Sequence, residues 1–320
     1  MKIKQVHIDN AKFFTLLDLN SLHVGDELVY NIFIQRNKDY VIIIEAGTKL
    51  SDELYEKLQK QEQLYVSKME MNRQKPSCDT LIAYIKYYKH NLEKSLHFLY
   101  EINDKLFTEF LDSKNNTINT SCLQTIVKSI IFLIQQNQNY LKETMPYFSS
   151  EYSIAYHSLH VAIYTINLSH LLRLQEEQLI DAGIAGLLHD LGLKKINNSI
   201  LTKEQPLSFK ELELVHKHSI YSTEFAQKNN ISNQYILDAI MHHHECYDGT
   251  GYPDHLKKNK ILQLTSILAI ADVFDALTND RPYRQKHTSF DALKIMMQDT
   301  DMVHKFNQTF LKEFLHSFLK

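Results

Sequence analysis

Seven glycines in 320 residues leave this chain few places to turn sharply, and five prolines add little more. Glycine is the usual residue where backbone takes left-handed geometry or comes close to a neighbour, so the few present mark where backbone flexibility is concentrated. Five of the seven, Gly183, Gly186, Gly192, Gly249 and Gly251, fall in one stretch. That region is also rich in imidazole, because ten of the 17 histidines lie between His157 and His255. A functional site is expected where rare backbone freedom and abundant ligand chemistry coincide.

Periodicity divides the chain into three parts: a module over residues 1–72, a helical linker or stalk over 73–148, and a helical domain over 149–320. In the first, "ELVYNIFI" and "YVIIIEA" are β-branched runs separated by the polar turn "QRNKD", which predicts a hairpin. Ser51 is placed to cap a helix carrying Leu54 and Leu58 on one face, and "LYVSK" reads as a further strand, giving a small α/β module. In the second, Leu81, Ile85, Tyr88, Leu92, Leu99, Ile102 and Leu106 recur at helical spacing and predict one helix with a narrow seam. A second helix uses Leu123, Ile126, Ile130, Leu133 and Leu141 and ends near Pro146. The pair is read either as an intramolecular hairpin or as a stalk through which a homodimer forms. Beyond Ser149 nearly every segment has helical spacing. The expected fold is therefore mainly α, with an all-α bundle at the C-terminal side.

A net charge of -3 gives no general electrostatic case for a nucleic-acid polymer or a membrane surface. No run reaches the roughly 18 apolar residues of a membrane span. The opening "MKIKQVHIDN" lacks the apolar stretch of a signal peptide. The three cysteines, scattered and without zinc-finger spacing, read as reduced thiols, and the expected location is cytoplasmic.

Within the third part, "GIAGLLHDLG" ends a strongly apolar helix with His189 and Asp190. A carboxylate left poorly solvated there must be paired or bound to a cation. In "SILAIADVFDAL", Asp272 is either a structural hydrogen-bond acceptor or a metal ligand, with Asp275 three residues on and beside it on the helix. Each of His157, His218 and the triplet His242–His244 taken singly is an ordinary helical histidine. Together the order H…HD…H…HH…D supplies five imidazoles and two carboxylates on helices that can converge in a bundle core. Seven ligands are too many for one ion but suit two sharing a bridging carboxylate, and the mixture suits iron, manganese or zinc. Two such ions about 3.5–4 Å apart carry out phosphoester hydrolysis by activating a bridging hydroxide.

"HDLG", "HHHECYDGTGYP" and "ADVFDALTNDRPYR", in that order, resemble the HD-GYP family of the HD phosphohydrolase superfamily. The resemblance runs from about Ser149 onward. It implies a metal-dependent phosphodiesterase that hydrolyses cyclic di-GMP to pGpG or GMP in second-messenger signalling. It implies metal ligands His157, His189, Asp190, His218, His243, His244 and Asp272, with Asp190 bridging and Asp190 and His189 counted as catalytic. His242 is left as a helix-face residue. Gly251, Tyr252, Pro253, Arg281 and Arg284 are expected to contact substrate, supported by Glu245, Asp248 and Asp275. The implied cofactor is a pair of divalent ions, iron or manganese first, zinc or nickel as alternatives. The implied partners are cyclic di-GMP and a diguanylate cyclase or another signalling protein.

Three departures from the family pattern matter. Leu193 stands where the family has a lysine near the metals, and Lys194 is one residue out of register. The alternative function is accordingly a catalytically weak or inactive effector that binds cyclic di-GMP or a partner protein. Ser153 occupies the place of a third-metal glutamate, with Glu151 two residues too early, so two ions are expected. The segment "DHLKKNKIL" lacks the glycines and proline that usually follow the loop.

Overall fold

The computed structural model describes residues 5–6, 13–37, 39–71, 77–148, 153–203, 205–279 and 286–319. The chain is mainly α and divides into two units, residues 1–88 and 89–320.

The first unit is a small antiparallel sheet with short helices. Its elements are β1 (Gln5–Val6), β2 (Phe14–Leu16), β3 (Ile32–Arg36), β4 (Asp39–Ile44), α1 (Asp52–Gln59), β5 (Tyr65–Ser67), α2 (Lys68–Met71) and α3 (Leu81–Tyr87). The strand order is β1-β4-β3-β5-β2. β3 and β4 form the expected hairpin, turning at Asn37 (φ 58°), with Gln35 opposite Tyr40. Ser51 caps α1 by accepting from Leu54 N at 3.2 Å. Ile32, Ile44, Leu50, Leu58 and Leu64 form one core cluster, while Phe14, Phe33, Tyr40 and Tyr87 form another. β2, which pairs with β5, was not expected from the sequence.

The second unit comprises α4 (Leu92–Asp112), α5 (Thr120–Gln136), α6 (Tyr140–Thr144), α7 (Ile154–Leu171), α8 (Glu176–Leu188), α9 (Asn198–Leu201), α10 (Phe209–His216), α11 (His218–Lys228), α12 (Gln234–His242), α13 (Gln263–Thr278), α14 (Ser289–Gln298) and α15 (Gln308–Leu319). The single helix expected from Leu81 onward is interrupted before Leu92. Asn91 takes a non-helical conformation and accepts from Lys94 N at 3.0 Å, an N-cap that starts a new helix inside a continuous apolar pattern. The seam of α4 is used within the chain: Leu99, Ile102 and Leu106 are buried, and α4 packs on α5 and α7.

α7, α8 and α13 make up the centre of this unit, with α12 against α8, α11 and α13. α7 is apolar nearly all round, buried from Leu159 to Ser169, as a central bundle helix must be. Among the described residues no helix is long and apolar enough to cross a membrane. Cys246 is a free thiol.

Candidate metal centre

Five helices bring their ends or inner faces to one point. α7 carries His157 in its first turn, and α8 ends at His189 with Asp190 in the turn that follows. α11 begins with His218, α12 runs into His243 and His244, and α13 carries Asp272 in its buried middle. The turn after α8 can lie against α11 because residue 192 is glycine. A Cβ there would sit 2.0 Å from the His218 carbonyl oxygen. Gly192 N also donates to Ser222 Oγ at 2.8 Å, which holds the turn in place.

The seven side chains read as ligands fall into two groups whose donor atoms lie within 4.8 Å of one another: His157, His189 and Asp272, and Asp190, His218, His243 and His244. Asp190 links them. Its Oδ2 faces His157 Nε2 at 3.5 Å and His189 Nε2 at 3.6 Å, while its Oδ1 faces His218 Nε2 at 3.2 Å and His243 Nε2 at 3.8 Å. Asp272 Oδ1 lies 3.3 Å from His157 Nε2, and its Oδ2 lies 3.8 Å from His244 Nδ1. All but half-buried His244 are buried.

Tautomers follow from the partners on the far side of each ring. His189 Nδ1 is 2.8 Å from Gly186 O, His218 Nδ1 is 2.7 Å from Val215 O, and His243 Nδ1 is 2.8 Å from Ile240 O. A carbonyl only accepts, so each Nδ1 donates and each Nε2 of the neutral ring presents a lone pair to the centre. Those nitrogens crowd together: His218 Nε2 is 3.3 Å from His243 Nε2 and 3.1 Å from His244 Nε2. Converging lone pairs beside two carboxylates are stable only if the site takes up protons or cations.

The electrostatics show the same demand. Burial opposes the charged forms of His157 and His218, yet the adjacent carboxylates outweigh it and raise both. Burial also opposes ionisation of Asp190, but the surrounding histidines hold its carboxyl well below the usual range. Burial dominates at His243 and His244 and brings His244 down to about 4. With a cation in place of the protons that His157 and His218 attract, this buried set of imidazoles and ionised carboxylates is a donor set for a borderline divalent ion, so the residues present fit divalent metal.

Of the supporting residues, Asp275 bonds His157 Nδ1 at 2.7 Å. Glu245 and Asp248 hold the loop instead. Glu245 accepts from Asp254 N at 2.6 Å and Leu256 N at 3.0 Å, and Asp248 accepts from Thr250 N at 2.9 Å. Gly251 packs where a Cβ would meet the His244 carbonyl oxygen at 2.4 Å, bringing the loop onto the ligand segment. Tyr252 stacks on His216 (3.7 Å, 11°) and lies 4.8 Å from the His244 ring, forming a wall beside the centre; Pro253 follows, half-buried. His242 points elsewhere, with Nδ1 3.1 Å from Asp238 and Nε2 3.1 Å from Asp254. Arg281, Arg284 and Glu151 lie outside the described residues.

Sequence reading missed His160, His216 and Tyr100. The spacing His157/His160 mirrors Asp272/Asp275, and that repeated three-residue step was the available signal for His160. Lys194 is engaged away from the centre: its Nζ donates to Phe110 O at 2.7 Å and Ser113 O at 2.9 Å.

A sequence model of the family described as "HD domain" matches residues 132–305. Similar proteins include a cyclic di-GMP phosphodiesterase of Pseudomonas aeruginosa, 31% identical over 59% of this chain and 46% of that protein. A 3'3'-cGAMP-specific phosphodiesterase of Vibrio cholerae is 36% identical over 45% of this chain and 31% of that one. The chain thus spans less than half the length of these relatives. An HDG"Y"P protein of Bdellovibrio bacteriovorus shares the fold, with TM-score 0.61 at 18% identity over 96% of this chain and 100% of that one.

Proposed function

The chain belongs to the HD domain family, and from that premise we propose that it is a two-metal phosphodiesterase acting on a cyclic dinucleotide, with cyclic di-GMP as the first candidate. The observation that carries this is Asp190, with one carboxylate oxygen facing each histidine group. His157, His189 and Asp272 would hold one ion, His218, His243 and His244 the other, and Asp190 both. Such a pair, iron or manganese by preference, supplies Lewis acidity toward phosphoryl oxygens and a nucleophile at neutral pH.

The chain's own residues do the rest. Burial keeps bulk water from competing for the donors, and the backbone carbonyls behind His189, His218 and His243 fix the ring orientations. Tyr252, backed by His216, offers an aromatic face beside the centre on which a base can stack. Gly251, Tyr252 and Pro253 would line the substrate path, with Arg281 and Arg284 as phosphate contacts. Residues 1–72 would serve as a regulatory module and 73–148 as its link to the domain over 149–320, in a cytoplasmic signalling protein. Burial of the α4 seam favours the hairpin over a dimer formed through that seam.

A second reading, a non-hydrolytic effector, has one observation behind it: Leu193 lacks an amine, and Lys194 is committed to α4. To decide between them, the full chain is loaded anaerobically with iron or manganese and incubated with cyclic di-GMP and 3'3'-cGAMP while linear products are followed. Turnover that disappears in Asp190→Asn supports the enzyme. Tight binding without turnover, with activity gained in Leu193→Lys, supports the effector. With both ions bound, a lack of turnover and of binding rejects both.

A further inference from the structure

Asp275 uses both carboxylate oxygens on histidines of α7. Oδ2 lies 2.7 Å from His157 Nδ1 and Oδ1 lies 3.0 Å from His160 Nδ1. The far nitrogen of His160, Nε2, is hydrogen-bonded to the Tyr100 hydroxyl of α4. His160, Asp275 and His157 are buried, and Phe148 stacks on the His160 ring at 4.5 Å and 10°, which fixes its plane. Tyr100 is itself braced edge-on by Tyr156 at 4.9 Å. The direction of every bond in this chain follows from its ends. A carboxylate only accepts, so His160 and His157 each donate from Nδ1. In the neutral ring His160 Nε2 is then the acceptor, and the tyrosine hydroxyl is the donor it requires. In the neutral ring that a metal ion requires, His157 Nε2 then presents its lone pair on the side of Asp272 and Asp190.

We propose that Tyr100 is a positioning residue for the metal centre. By donating to His160 it fixes the tautomer of that ring, which through Asp275 fixes the tautomer and angle of His157 as a ligand. The inference rests on the two-metal reading above. Three features set it apart from ordinary helix packing. The bonds run head to tail without a break, every intermediate group is buried, and the far end is a residue of α4 rather than of the helices that carry ligands. A second contact keeps the register of the two helices, because Asn103, one turn beyond Tyr100, donates to Ala155 O at 2.7 Å, two residues before His157. A displacement of α4 therefore reaches His157 directly.

The test is zinc titration of the full chain by calorimetry, in wild type, Tyr100→Phe, Asp275→Asn and the double variant. Tyr100→Phe removes the hydroxyl and keeps the ring against Tyr156. Orienting partners of ligating histidines are worth about 10–100-fold in metal affinity. One step further out, Tyr100→Phe is expected to weaken one of the two zinc ions by roughly 3–30-fold and leave the other unchanged. Relay through Asp275 predicts that the same substitution costs nothing further once Asp275 is asparagine. Ring nitrogen NMR of zinc-loaded Tyr100→Phe gives an independent readout that does not need the Asp275 variant to fold: the His160 Nε2 signal should lose its hydrogen-bonded position and the His157 signals should move with it. Unchanged zinc affinity, an equal loss in the Asp275→Asn background, or a change confined to His160 overturns the proposal while the metal centre stands. Wild type that binds no zinc overturns the metal centre itself.

Discussion

Gly192→Ala is the sharpest single perturbation of the centre, because its consequence can be worked from distances. The added Cβ would lie 2.0 Å from His218 O and 2.7 Å from Ser222 N, both backbone atoms that cannot swing aside. Ordinary contact begins near 3.4 Å, so the turn after α8 and the start of α11 must separate by about 1.4 Å. Asp190 sits in that turn and His218 begins that helix, and their contact of 3.2 Å ties the linking carboxylate to the group of His218, His243 and His244. Overpacking of this kind costs roughly 1–3 kcal/mol, which lowers Tm by several degrees at this size. The functional loss should be larger, since a misplacement of about 1 Å at a reacting centre costs on the order of 10²-fold in rate. The assay is metal content, Tm and turnover on one preparation. The expected result is loss of the ion shared by His218, His243 and His244, with a modest fall in Tm. Full metal content and full turnover in a folded Gly192→Ala protein would refute the reasoning.

Three further outcomes follow from particular contacts. Lys194→Met should leave turnover within about twofold while lowering stability by roughly 1 kcal/mol, because its ammonium caps the carbonyls at the end of α4 and does not face the metals; thermal unfolding alongside a rate assay checks both halves. Glu211 is held down to about 2 by its Lys203 ion pair and its Ser208 bonds, so the order it lends to α10 is present above pH 4.5 and lost as pH falls toward 2; amide exchange at Glu211 and Leu212 should show that dependence, and Glu211→Gln should abolish it. His242→Ala should cut the link from Asp238 to Asp254 and loosen the loop carrying Tyr252, raising KM more than it lowers kcat, as steady-state kinetics would reveal.

How much of this was legible in the sequence depended on whether the signal was local. The β3–β4 hairpin, Ser51 as a cap and the helical second unit follow from short-range patterning and needed nothing from elsewhere in the chain. The seven candidate ligands were legible for a different reason: each alone had an ordinary structural alternative, and it was the resemblance carried by the ordered motifs that implied the set. The break at Asn91 was not legible, because apolar spacing continued across it and a single capping side chain decided the matter. β2 is three residues long and has meaning only beside β5. The path from Tyr100 to His157 links residues 57 positions apart through side-chain chemistry on three helices, and each member alone reads as ordinary helix core. Lys194 was placed correctly as out of register, but its destination on α4 came only from the fold.

The central claim is that Asp190 joins two metal sites. Anomalous diffraction from crystals of the chain loaded with manganese or iron tests it most directly. The account predicts two peaks, one on each oxygen of Asp190, the first among His157, His189 and Asp272 and the second among His218, His243 and His244. A single peak, or ions bound away from Asp190, would contradict it.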